Sequence, residues 1–242
     1  MQMMQSHSGS AFLRTVDDLR SPAGRLEALL NVGAPDAPYA ALVCHPHPLG
    51  GGTLHNKVVY HTMKALQSFG LPVLRFNFRG TGLSEGGHDE GRGEQDDVRA
   101  ALDWLDRQFH MPILFAGFSF GAYVGLRACC GDARVQGLIA LGLPVRAEGR
   151  TYDYDFLRNC AQPKLFISGT RDQYGPQAGV EAAVALAHEP KDLVWIEDAD
   201  HFFVAQSGAT TPPRKPTGSK LEEVQRAILS WTNHCFPLLR NP

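Results

Sequence analysis

Ser119 is the residue of this chain best placed by its neighbours to do chemistry. It stands at the centre of Gly117-Phe118-Ser119-Phe120-Gly121. The apolar run Pro112 to Ala116 precedes it, and the small-residue stretch Ala122 to Cys130 follows. That succession reads as strand, sharp turn, helix. A serine on such a turn stands clear of the sheet edge, where a substrate carbonyl can reach it. Glycines two places before and after let strand and helix pass close to the turn.

A serine hydroxyl is a poor nucleophile until a base takes its proton. His201, in the loop after the last expected strand, is the candidate base, because an imidazole can accept a proton and return it near neutral pH. Asp172, just past a strand end in Ser168-Gly169-Thr170-Arg171-Asp172, is the candidate acid that orients the imidazole. Asp198 and Asp200 are its rivals. They lie so close to His201 in sequence that they are better suited to shaping the turn. A developing oxyanion needs two backbone N–H donors. Phe120, directly after the serine, supplies one. The other is expected from the loop His45-Pro46-His47-Pro48-Leu49-Gly50-Gly51-Gly52. Proline has no N–H, so His47 is the first candidate and Leu49 the alternative.

Two other chemistries have weaker support in the sequence. His45, His47, His55 and His61 fall close together, yet no acidic or cysteine ligand accompanies them in the loop, so no metal site is expected. Gly80-Thr81-Gly82-Leu83-Ser84-Glu85-Gly86 is one residue off a dinucleotide fingerprint, and no Gly-Lys-Ser/Thr follows a glycine-rich run. The chemistry of Ser119 needs no cofactor.

These residues must be held by a scaffold, and the periodicity supplies one. Strands are expected at Phe12 to Val16, Arg25 to Val32, Tyr39 to Cys44, Leu71 to Phe78, Pro112 to Ala116, Val135 to Leu143, Pro163 to Ser168 and Leu193 to Ile196. Helical spacing marks Val59, Met63 and Leu66; then Val98, Ala101, Leu102, Leu105 and Phe109; then the stretch after Ser119; then Val180 to Ala187; then Leu221, Val224, Ile228 and Trp231. Strands alternating with helices imply an α/β fold, a mostly parallel sheet with helices on both faces. Right-handed crossovers then point the strand ends to one rim, which carries the 45–52 loop, Ser119, Asp172 and His201. Residues 1–10 are polar, lack the apolar core of a signal peptide, and read as a disordered lead-in. Residues 11–242 read as one domain.

The chain has 242 residues and a formal net charge of −2, with 43% hydrophobic and 20% charged residues. No long basic run argues for nucleic acid, and the apolar runs are strand-sized rather than membrane-spanning. The cysteine count is five, odd, with no C-x-x-C, and most sit in apolar or helical contexts. The expectation is reduced thiols and a cytoplasmic location. Oligomeric state is left open.

Together these features resemble the α/β-hydrolase superfamily. The resemblance runs from about Phe12 to Trp231. Gly117 to Gly121 is similar to its nucleophile elbow, and Ser119, Asp172, His201 follow its order. Arg79-Gly80-Thr81-Gly82-Leu83-Ser84 is similar to the turn after its fourth strand. His45-Pro46-His47-Pro48 resembles its H-G-x-P oxyanion loop, with Pro46 in the glycine's place. That replacement, with Gly50 to Gly52 and Asn56-Lys57-Val58-Val59, resembles a small bacterial group akin to dienelactone hydrolases. The resemblance implies a serine hydrolase acting on a small carboxylic ester through an acyl-enzyme. An acyltransferase or perhydrolase on the same residues is the alternative, and a binding protein on the same fold a further one. The interval Pro144 to Gln162, where a lid commonly enters, is short. Its Tyr152, Tyr154 and Phe156 form either an aromatic wall for substrate or an ordinary surface loop. Ala205 to Lys220 is expected to be a mobile loop bordering the site.

Overall fold

The structure is a computed structural model and describes residues 13–147, 149–205 and 220–239. The 1–10 lead-in and nearly all of the 205–220 loop lie outside the described residues.

Eight strands make the main sheet: β1 (Leu13–Val16), β2 (Ala28–Asn31), β3 (Ala40–Cys44), β4 (Val73–Phe76), β5 (Ile113–Phe118), β6 (Val135–Leu141), β7 (Lys164–Gly169) and β8 (Lys191–Ile196). Their spatial order is β1-β2-β4-β3-β5-β6-β7-β8. β2 pairs antiparallel with both β1 and β4, and every other pairing in the sheet is parallel. The expected opening strands are present, joined by a small hairpin pairing Arg20–Ser21 with Gly24–Arg25.

Among the described residues, five helices flank the sheet: α1 (Lys57–Gln67), α2 (Gly93–Phe109), α3 (Phe120–Cys129), α4 (Gln177–Leu186) and α5 (Lys220–Cys235). Successive strand residues point to opposite faces, and two apolar layers result. Leu42, Phe115, Leu138 and Phe166 pack with α2, α3 and α4 on one face. Val43, Ala116, Ile139 and Ile167 pack with α1 and α5 on the other. The central strands are buried throughout, which is why they read as continuous apolar runs rather than alternating ones. No helix among the described residues is long and apolar enough to cross a membrane.

The cysteines are not all free thiols, contrary to expectation. Cys44 and Cys129 are buried free thiols, and burial pushes both thiol pKa values well up. Cys130 and Cys160, however, form a disulfide. They are 30 residues apart in sequence, but β6 and β7 are neighbours in the sheet, so the segments entering those strands meet. The pairing removes the cysteine argument for a reducing compartment.

Candidate active site

Ser119 lies between β5 and α3 with φ 56° and ψ −121°. A non-glycine residue at positive φ is strained by about 1–3 kcal/mol, so its surroundings must hold it. Its N–H donates to the Leu141 carbonyl at 2.8 Å, and its carbonyl accepts from Ala122 and Tyr123, starting the helix. Both flanking glycines are required by close approach. A Cβ on Gly117 would lie 2.5 Å from the Gly121 carbonyl oxygen, and one on Gly121 would lie 2.3 Å from that of His45.

His201 follows β8 and is 3% exposed. Its Nε2 is 2.8 Å from Ser119 Oγ, and its Nδ1 is 2.7 Å from Asp172 Oδ2. A carboxylate only accepts, so Nδ1 carries the hydrogen and Nε2 offers its lone pair to the hydroxyl. Asp172 Oδ1 accepts the N–H groups of Tyr174 at 2.8 Å and Gly175 at 3.0 Å. The carboxylate is thereby held while its other oxygen faces the imidazole. Phe118, Tyr174 and Phe202 pack around that ring, with centroids 5.1, 4.8 and 5.3 Å away.

The rival acids do other work. Asp200 Oδ1 accepts from Phe202 and Val204 N–H groups, closing the turn that carries His201. Asp198 pairs with Arg171 at 2.6 Å.

In the loop after β3, Leu49 N–H donates to His47 Nδ1 at 3.2 Å. The amides of Gly50, Gly51 and Gly52 donate to the carbonyls of His47 and Pro48. The alternative donor, Leu49, is therefore spent inside the loop, and His47 is the candidate there. On the other side, Phe120 opens α3, where an amide has no intrahelical acceptor. The His47 ring packs on Phe120 at 4.8 Å, bringing the two candidate donor segments together.

His45 is a structural residue rather than a ligand. Its ring is fully buried, with Nδ1 donating to the Pro46 carbonyl at 2.7 Å and Nε2 accepting from Phe78 N–H at 3.0 Å. Both ring nitrogens are thus used on backbone. The turn beyond Phe78 is fixed in its own way. Arg79 reaches Asp97 on α2 through its guanidinium at 2.8 Å and through its backbone N–H at 3.0 Å. Gly82 there has φ 56°, and a Cβ would meet Glu27 Oε2 at 2.3 Å.

A pocket of about 110 Å³ opens over Ser119, walled by His47, Asn56, Tyr152, Tyr174, His201 and Phe202 among others. Of the three expected aromatic residues, Tyr152 lines it. Tyr154 and Phe156 do not, which corrects the expectation of a three-residue wall. Tyr154 is buried, donates its hydroxyl to the Pro144 carbonyl at 2.7 Å, and packs with Phe156 against Tyr123. They support the wall from behind. Tyr174 and Phe202 were missed, although each lies within two residues of a residue already singled out.

The sequence matches the α/β hydrolase domain family over residues 40–231. The chain belongs to the α/β-hydrolase family. This α/β hydrolase is 38% identical over 190 residues to an uncharacterized protein of Rickettsia prowazekii, covering 75% of this chain and 79% of that protein. Its fold is similar to an α/β serine hydrolase homologue from Coxiella burnetii, at 32% identity and TM-score 0.74, covering 95% and 99% of the two chains. It is also similar to a Xanthomonas campestris protein described as an α/β serine hydrolase without lid. That match has 33% identity and TM-score 0.76, covering 96% and 97%. In the present hydrolase the interval between β6 and β7 is short. It holds one hairpin, Arg146–Ala147 with Arg150–Thr151, and a short helical turn, Asp155–Asn159.

Proposed function

We propose that this chain is a serine-dependent hydrolase of carboxylic esters, with Ser119 as nucleophile, His201 as base and Asp172 as orienting acid. The observation that carries the reading is the unbroken hydrogen-bonded series Ser119 Oγ, His201 Nε2, His201 Nδ1, Asp172 Oδ2 at the floor of an open pocket. The serine hydrolases named above support it.

In this reading His201 takes the Ser119 proton as Oγ adds to the acyl carbon. The oxyanion is held by the N–H groups of Phe120 and His47. The carbon–oxygen bond to the leaving alcohol then breaks, and His201 returns the proton to that alcohol. Water adds to the acyl-enzyme, giving its proton to His201. The acid departs, and Ser119 regains its proton. Asp172 stays a carboxylate throughout and stabilises the imidazolium.

The test is hydrolysis of p-nitrophenyl esters of two to twelve acyl carbons, with Ser119→Ala beside wild type, and labelling by a fluorophosphonate. Hydrolysis and labelling by wild type, both lost in the variant, are expected. A folded wild type that neither hydrolyses nor labels would overturn the reading. Product analysis with added alcohol or peroxide separates hydrolysis from acyl transfer and perhydrolysis.

A further inference from the structure

The pocket over Ser119 shares part of its wall with a neighbouring cavity. His47, Ala147 and Tyr152 also line this second cavity of about 460 Å³, whose outer wall includes His88, Glu90 and Arg150. Neither His201 nor Phe202 lines this cavity. In the ester-hydrolase reading the leaving group lies beside His201 to receive its proton, which leaves this cavity for the acyl group.

Arg150 is the cation of this wall. Its Nη1 donates to the Glu90 backbone carbonyl at 2.6 Å, and its guanidinium carbon lies 5.3 Å from the Tyr152 ring centroid and 5.9 Å from that of Tyr123. Stacking on aromatic rings and one carbonyl bond hold a guanidinium in place without neutralising it. Among the described residues no carboxylate forms an ion pair with Arg150. A guanidinium has five N–H donors in a fork that matches a carboxylate. The other lining groups do not replace it. His88 Nδ1 lies 2.8 Å from the fully buried Glu94 carboxylate. The Glu94 carboxylate also accepts the amides of Asp89 and Gly91, pinning the wall. Glu90 is exposed at the rim.

We propose that the acyl group taken by this site ends in a carboxylate, which seats on Arg150 while the ester carbonyl lies over Ser119. The substrate class is then half-esters of dicarboxylic acids. This rests on the ester-hydrolase reading above.

The experiment compares the p-nitrophenyl half-ester of adipic acid with its methyl-capped diester, of nearly equal length and no charge, in wild type and Arg150→Gln. Wild type is expected to prefer the acid by about tenfold or more in kcat/KM, the effect of one charge-assisted pair. Arg150→Gln loses that preference because KM rises much more for the acid than for the diester, and Arg150→Lys restores part of it. Equal ratios in wild type and Arg150→Gln would overturn the proposal. So would fluorophosphonate labelling of Ser119 with neither ester hydrolysed. A wild type that neither labels nor hydrolyses would instead overturn the ester-hydrolase reading, and this inference with it.

Discussion

His45 Nε2 accepts the backbone N–H of Phe78 at 3.0 Å, so the loop after β3 is tied to the turn after β4 by one buried imidazole. That tie positions His47, two residues on. It works only with a neutral ring, because a protonated Nε2 has no lone pair to offer.

Burial is the main cause that lowers the His45 pKa from 6.5 to about 4, against an opposing bond to the Pro46 carbonyl. The unfolded chain therefore binds a proton between these two pH values that the native chain does not. Stability is full above pH 6.5 and falls as the pH drops towards 4, by up to about 3 kcal/mol from this group. Urea unfolding at pH 7.5 and pH 4.5 measures the loss. His45→Gln flattens the pH dependence; an unchanged slope in that variant would remove His45 as its source.

Asp97 is fully buried and is the partner that Arg79 uses at 2.8 Å. Asp97→Ala leaves a largely buried guanidinium without its counter-charge, and a loss of about 3–5 kcal/mol is expected. The double variant Arg79→Ala with Asp97→Ala should lose less than the sum of the singles. Strict additivity in denaturant titrations would show that the pair is not coupled.

Ser119 at φ 56° predicts opposite effects on activity and stability. Ser119→Gly abolishes turnover and raises stability by about 1 kcal/mol, because glycine adopts that backbone freely. Ser119→Ala abolishes turnover without that gain. Equal melting temperatures for the two variants would argue against strain at this turn.

Asp172→Asn retains a side-chain oxygen for the Tyr174 and Gly175 amides but turns its N–H₂ towards the imidazole. The ring is then held in the wrong tautomer, and kcat falls by about 10⁴-fold with the fold intact. A drop below about tenfold in steady-state assays would place the orienting acid elsewhere.

The scaffold and the candidate site residues were legible because they leave local signals. Ser119 sits between a strand-sized apolar run and a helix of small residues, and Asp172 and His201 each follow a strand. Contacts made by distant segments left no such signal. Cys130 and Cys160 meet only because β6 and β7 are adjacent. The His45 ring finds an amide 33 residues on, and Arg79 finds Asp97 on a helix not contiguous with its turn. Tyr154 and Phe156 share the spacing and type of wall residues, and only the fold of the short interval decides that Tyr152 alone of the three lines the pocket while all three pack on Tyr123.

The proposed base and the proposed nucleophile stand on unequal foundations. β5, before Ser119, has strands on both sides and is buried along its length. β8, before His201, is the last strand of the sheet, pairs with β7 alone among the described residues, and is half-buried over most of its length. Strands with one partner open locally at lower free energy than central ones. Turnover should therefore fail at urea concentrations below the global midpoint. Trp195, on β8, should report that step before Trp104, buried on α2. This would make the enzyme's working range narrower than its folded range, with the outermost strand as the fuse.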